Sequence, residues 1–263
     1  MALDAQPCLV VAATPPSAQF LCFGEAMIRY CPETASSAGA PRWLQSVGGA
    51  ELNVAVALSR LGWSDSRWVS VVPRGPLGDH LMTKVGEAMG GDANSLALVR
   101  REEGDVGVFH VWPAERKLCY QRRHSAFGLL DPEWFAEPFW TASLGPCEVR
   151  GGSASSTASP KPPALRVLHL TGITPLIPGR AKDAWCHALA AAAGPLRRTA
   201  ALLPGAAVCV VSDSPLLVSL DLNHRPALGT FRELWEAVLP HIGTVDLLVL
   251  SCDVLPTLAE LIG

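Results

Sequence analysis

Asp221, Asn223 and Arg225 stand two residues apart in Leu220-Asp221-Leu222-Asn223-His224-Arg225-Pro226, a polar cluster closing the apolar run 216–220. On an extended segment this spacing puts all three side chains on one face. Pro226 keeps Arg225 out of helical conformation. Ligands of open α/β sheets bind just beyond the carboxyl ends of the strands, so a substrate site belongs here. Tyr120 and Arg122 are also two apart. On a strand, a phenol and a guanidinium sharing a face make a clamp for a hydroxylated, carboxylated small molecule, because arginine pairs bidentately. The other reading of Arg122-Arg123-His124 is a solvated basic turn. Gly48-Gly49 opens a helical pattern with Asn53 one turn inside. Free backbone N–H groups and the positive end of the helix dipole there suit hydroxyls or a carboxylate. A tight turn needing two glycines is the alternative. The segment is neither G-x-G-x-x-G nor a Walker loop. His169 and His224 read as ordinary hydrogen-bonded histidines, not catalysts.

The elements that must position these residues follow from hydrophobic periodicity. Phe20-Leu21-Cys22-Phe23 predicts a buried first strand. Residues 27–47 carry Pro32, Gly39 and Pro41 and predict a loop with a short strand or two. A helix is expected from Gly48 to Leu61, stopped by Gly62. A strand at 68–72 and a helix at 77–89 follow. Residues 106–120 alternate around Pro113-Ala114-Glu115-Arg116, which predicts a hairpin. Further buried strands are expected at 166–170 and 216–220. Strands alternating with helices indicate a parallel sheet covered on both faces. The early loop and the hairpin leave that rhythm and predict a small lid. Residues 141–164, rich in Ser, Gly and Pro, predict a disordered surface loop. Residues 195–215 read as an irregular insertion.

Composition narrows the function. The chain has 263 residues, 49% hydrophobic and 17% charged, enough for a buried core. A net charge of −3 without a basic stripe argues against nucleic acid as a partner. The eight cysteines form no C-x-x-C pair and read as reduced thiols, and the seven histidines are too dispersed for a preformed metal site. No apolar run reaches the roughly 18–20 residues of a membrane span. The start of the chain lacks the basic n-region of a signal peptide, so the expectation is a soluble, cytoplasmic protein.

Taken together, five segments resemble the ribokinase-like (PfkB) carbohydrate kinases, and most of all the 2-keto-3-deoxygluconate kinase branch. They are Phe23-Gly24-Glu25-Ala26-Met27, Val47-Gly48-Gly49-Ala50-Glu51-Leu52-Asn53-Val54-Ala55, Tyr120-x-Arg122-x-x-Ser125-Ala126, Leu168-His169-Leu170-Thr171-Gly172-Ile173-Thr174-Pro175 and Asp221 to Pro226. Their order and approximate spacing agree with the family over residues 20–250. The resemblance implies an α/β fold: a central, mostly parallel sheet with helices on both faces and a small β lid. Residues 1–19 would be an N-terminal extension and 20–263 an incomplete kinase domain. Its lid pieces would lie at about 27–47 and 105–123. It further implies a small sugar or sugar acid wedged between sheet and lid. Gly48, Gly49 and Asn53 would contact hydroxyls. Tyr120, Arg122, Asn223 and Arg225 would bind the substrate, the arginines holding a carboxylate. ATP with Mg²⁺ would be the phosphoryl donor, and the lid could pair two copies into a homodimer.

The family's Gly-Ala-Gly-Asp segment, whose amides form an anion hole and whose Asp deprotonates the acceptor, has no counterpart after Arg225. The family's Asn-x-x-Glu is also absent near Ser251-Cys252-Asp253-Val254. A general base contributes about 10²–10⁴-fold and one oxyanion donor about 10²–10³-fold, so losing both removes about 10⁴–10⁷-fold. The expectation is that these 263 residues alone do not turn over. A non-catalytic sugar-binding or regulatory role is the alternative. A dinucleotide enzyme is disfavoured by the missing Gly-rich turn after Phe23.

Overall fold

The computed structural model describes residues 18–33, 42–63, 65–144, 165–194 and 216–262. Apolar runs bounded by glycine build a six-stranded sheet. Its strands are β1 (Ala18–Phe23), β4 (Asp65–Pro73), β5 (Val99–Glu102), β8 (Leu165–Thr171), β9 (Leu216–Asp221) and β10 (Leu247–Val249). Their order is β10-β9-β8-β1-β4-β5 and every neighbouring pair is parallel. Side chains alternate between the faces. Leu21 and Phe23 of β1, Val69 and Val71 of β4, and Leu168 and Leu170 of β8 pack into one core. Cys22, Trp68 and Val72 pack into another.

Among the described residues six α-helices cover the two faces: α1 (Ala50–Arg60), α2 (Pro76–Ala88), α3 (Glu137–Leu144), α4 (Ala181–Ala193), α5 (Phe231–Val238) and α6 (Leu255–Ile262). Leu52 and Ala55 of α1 and Leu81 and Val85 of α2 close the second core. Trp140 of α3, Trp185 of α4 and Leu234 of α5 close the first. Phe23 anchors it, with ring centroids 5.4, 5.1 and 5.5 Å from Phe127, Phe135 and Trp140. The expected parallel sheet with helices on both faces is present.

The two segments outside the strand–helix rhythm form a second, four-stranded sheet. It contains β2 (Met27–Pro32), β3 (Trp43–Gly48), β6 (Val108–Trp112) and β7 (Lys117–Gln121), in the order β3-β2-β6-β7. β2 pairs antiparallel with β3 and parallel with β6, and β6–β7 is the expected hairpin. Arg116 closes its turn at φ 51°. A ladder of rings ties three of these strands together. His110 stacks on Tyr30 and Trp112 with centroids 5.5 and 5.6 Å apart, and Trp43 meets His110 edge-on at 5.7 Å.

The stretch 27–47, expected to be loop with a short strand or two, carries two strands of six residues, β2 and β3. Most of β3 is exposed, so it shows no inside–outside alternation to read. Two local expectations are corrected. β5 and β10 escaped prediction because edge strands are short, and β5 (Val-Arg-Arg-Glu) carries the charges that protect an open edge. Thr141 to Leu144, expected at the start of a disordered loop, are the last turn of α3, held by buried Trp140 and Leu144. The remainder of that loop and the whole 195–215 insertion lie outside the described residues.

Candidate functional site

Four backbone crossings connect the two sheets: 24–26 from β1 to β2, 48–50 from β3 to α1, 103–107 from β5 to β6, and 122–126 beyond β7. They meet at a buried polar cluster. Glu25 lies on the first crossing, Glu51 in the first turn of α1, and Arg122 and Ser125 on the last; the first three are 4%, 2% and 7% exposed. An Arg122 Nη2 donates to Glu25 Oε2 in a buried ion pair. Glu51 Oε1 accepts from Thr171 Oγ1 at 2.5 Å and from Thr174 Oγ1 at 3.1 Å. Burial pushes both carboxyls above the usual glutamate range. Arg122 and Ser125 pull Glu25 back, and the threonine hydroxyls pull back Glu51. An acid in the first turn of α1 is also favoured by the helix dipole.

Close backbone approach explains the glycines. A Cβ on Gly49 would collide with the Glu25 carbonyl, and one on Gly24 with the Glu51 carboxylate. Gly48 ends β3 and Gly49 caps α1; both are buried, and Asn53 N–H donates to the Gly49 carbonyl at 2.8 Å. The Asn53 side chain is exposed. The crowding accounts for the glycine pair as a packing requirement, while Gly48 and Gly49 still border the polar cluster. Tyr120 is half-buried with its ring stacked on Phe109, centroids 5.8 Å apart. Arg122 is neither a solvated turn residue nor a free cation. Its side chain is buried and its charge faces Glu25.

Arg225 lies elsewhere. With Asp221, Asn223, His224, Ser251 and Asp253 it lines a cavity of about 390 Å³ at the carboxyl ends of β9 and β10, as the strand-end rule anticipates. Strand alternation, expected to put the three side chains on one face, is not what brings them together. β9 stops at Asp221, and Asn223 adopts φ 41°, so the segment is not extended through Arg225. The turn is built locally. Asn223 N–H donates to Asp221 Oδ1 at 3.0 Å, and Leu228 N–H to the Arg225 carbonyl at 2.8 Å. Asp221, Asn223 and Arg225 share the cavity through this turn. Gly48, Gly49, Asn53, Tyr120 and Arg122 do not line it. The two groups are linked through β8: Thr171, bonded to Glu51, is also the register partner of Asp221.

His169 Nδ1 lies 3.2 Å from Ser219 Oγ and His224 Nε2 3.0 Å from the Gly229 carbonyl, so both are hydrogen-bonded. Glu25, Glu51, Ser125, Thr171 and Thr174 were given no role from sequence. The available signal was an acid between apolar neighbours, at Phe23-Gly24-Glu25-Ala26-Met27 and Ala50-Glu51-Leu52. Among the described residues no group of three His, Cys, Asp or Glu side chains is placed to hold a metal ion. No helix there is long and apolar enough to cross a membrane.

Comparison with known proteins agrees with the sequence resemblance. Residues 17–88 match the pfkB family of carbohydrate kinases. A stretch of 70 residues is 43% identical to 2-dehydro-3-deoxygalactonokinase of Haloferax volcanii, covering 26% of this chain and 22% of that protein. In fold, the chain matches 2-dehydro-3-deoxygluconokinase of Thermotoga maritima with TM-score 0.62 and 25% identity, over 89% of this chain and 59% of that one. It also matches the ATP-bound fructokinase of Xylella fastidiosa with TM-score 0.61 and 22% identity, over 94% and 65%. The resemblance to PfkB carbohydrate kinases therefore holds in sequence around the first two crossings and in fold across the described chain. The chain spans about three fifths of the length of these solved kinases.

Proposed function

We propose that this chain is the sugar-receiving part of a PfkB carbohydrate kinase, which takes a small sugar or sugar acid of the 2-keto-3-deoxygluconate kind. The observation that carries this reading is the convergence of the four crossings on Glu25, Glu51 and Arg122, directly under Gly48 and Gly49. Three segments that resemble the family's substrate motifs thus meet at one buried polar cluster between two sheets. In this reading Gly48, Gly49, Asn53, Tyr120 and Arg122 contact the sugar from the lid side, and Asn223 and Arg225 from the strand-end cavity.

ATP with Mg²⁺ is the donor that the family implies. The described residues do not assemble a site for it: the strand-end cavity offers Asp221, Asp253 and Arg225 but no glycine-rich helix start and no metal-binding trio. We infer that these 263 residues by themselves bind sugar without turning it over. The second reading is a non-catalytic sugar-binding protein, in keeping with a strand-end cavity that offers Asp221, Asp253 and Arg225 without a glycine-rich helix start. Calorimetry separates the two. Sugar binding without ATP binding supports the non-catalytic reading. ADP release with ATP, Mg²⁺ and 2-keto-3-deoxygluconate at ordinary kinase rates refutes it, and no sugar binding refutes both.

A homodimer through the four-stranded sheet is part of the proposal. Leu44 and Leu118 fall on the same face by register and are 56% and 45% exposed, an apolar surface suited to a second copy. We place the protein in the cytoplasm, in keeping with its thiol-rich composition.

A further inference from the structure

We infer that a second cavity, at the β5 edge of the six-stranded sheet, is a binding site for a phosphate monoester with an apolar body. This goes beyond the sugar-kinase reading and does not rest on it. The cavity has a volume of about 390 Å³. Its walls are Arg74, Arg100 and Arg101 together with the apolar Leu98, Val99 and Phe139, and no acid among the described residues lines it. β5 ends the sheet on one side and β10 on the other, so this cavity lies at the opposite edge from the one around Arg225. It shares no residue with that cavity or with the four crossings.

Charges that only protect a sheet edge project into water. The side chains of Arg100 and Arg101 are each only 29% exposed, and both are pinned. Arg101 Nη2 and Nε donate to the Pro73 carbonyl at 2.8 and 3.1 Å, and Nη2 donates to Asp79 Oδ1 at 2.6 Å. The Arg100 guanidinium lies over the Trp134 ring, and its Nε and Nη2 each reach Glu102 Oε1 at 3.3 Å. Guanidiniums fixed in this way lose little freedom when a ligand arrives. Each carries five N–H donors, and neither uses all of them in these bonds. Arg74 follows the end of β4, exposed and without an ion pair among the described residues. Asp79 and Glu102 answer two of the three charges from outside the lining, and the third is left for the ligand. A phosphate ester brings several acceptor oxygens and up to two negative charges, which suit three guanidiniums on one cavity better than a single carboxylate does. Leu98, Val99 and Phe139 supply an apolar wall for the group esterified to it.

Calorimetric titration of the chain with phenyl phosphate and with inorganic phosphate tests the inference in the wild type, in R74Q and in R225A. Phenyl phosphate should bind the wild type about tenfold more tightly than inorganic phosphate, since its ring buries against the apolar wall. R74Q should weaken phenyl phosphate by about tenfold, the worth of one charge-assisted hydrogen bond. Arg74 is exposed, so R74Q should unfold at the wild-type temperature; if it does not fold, R100Q gives the same reading. Unchanged affinity in R74Q overturns the inference. So does a loss found in R225A and not in R74Q, which would put the phosphate in the strand-end cavity. Equal affinity for the two phosphates overturns the assignment of an apolar body. A wild type that does not bind phenyl phosphate overturns the site as a whole.

Discussion

Thr171 Oγ1 donates to Glu51 Oε1 at 2.5 Å across 120 residues of sequence. The bond joins the carboxyl end of β8 to the first turn of α1. Through the Thr171–Asp221 register it also connects the polar cluster at the lid root to the strand-end cavity around Arg225.

Glu51 sets a pH dependence of stability. Burial raises its carboxyl in the folded state, so folding favours the protonated form. The stabilising contribution is complete below the unfolded value of about 4.3 and is lost as pH rises through the folded value. In that window the unfolding free energy should fall by up to about 1.4 kcal/mol per pH unit for this group. Glu51→Gln keeps the oxygen that accepts from Thr171 and should flatten the slope, leaving the variant at least as stable as wild type near neutrality. Urea unfolding between pH 4 and 8 measures it, and an unchanged slope would show that Glu51 does not titrate there.

Arg225→Ala should weaken a sugar acid far more than a neutral sugar or ATP. The side chain is exposed, so stability should change by less than about 0.5 kcal/mol. Loss of a charge-assisted contact to a carboxylate predicts about ten- to a hundredfold weaker binding of the acid. Equal losses for 2-keto-3-deoxygluconate and fructose in calorimetry would count against a carboxylate at Arg225.

Gly49→Ala should be destabilising by about 1–3 kcal/mol, because its Cβ would overlap the Glu25 carbonyl and push two crossings apart. Gly243→Ala is the control, since a Cβ there meets nothing within 4 Å. Thermal unfolding should separate the two substitutions; similar melting temperatures would mean that the crossings yield easily.

Leu44→Glu with Leu118→Glu should abolish dimerisation through the four-stranded sheet and leave the monomer folded, since both positions are exposed on one face of it. Sedimentation velocity of the wild type and the double variant reads this directly. Identical sedimentation as monomers would show that the apolar face does not pair copies.

How much of this was legible from sequence depended on burial. β1, α1, β4, α2, β8 and β9 rest on apolar runs or amphipathic repeats, and each was anticipated to within a few residues. β3 and β5 were harder, because a strand exposed on its faces or at an edge leaves little hydrophobic pattern. Asp221, Asn223 and Arg225 were placed together for a reason that failed. Asn223 leaves the extended conformation at φ 41°, and a turn, not strand alternation, brings the three to one cavity.

The alternation of strands and helices, the ordered motifs that resemble a carbohydrate-kinase family and the clustering of Asp221 with Arg225 could be read from the residues alone. Those are local properties, written in spacing and composition. The pairing of Arg122 with Glu25 was a tertiary matter. Arg122 and Glu25 are 97 residues apart, and neither has a neighbour in sequence that announces the other. Only the folding of four crossings onto one point removes them from water together, and with water gone each must answer the other's charge.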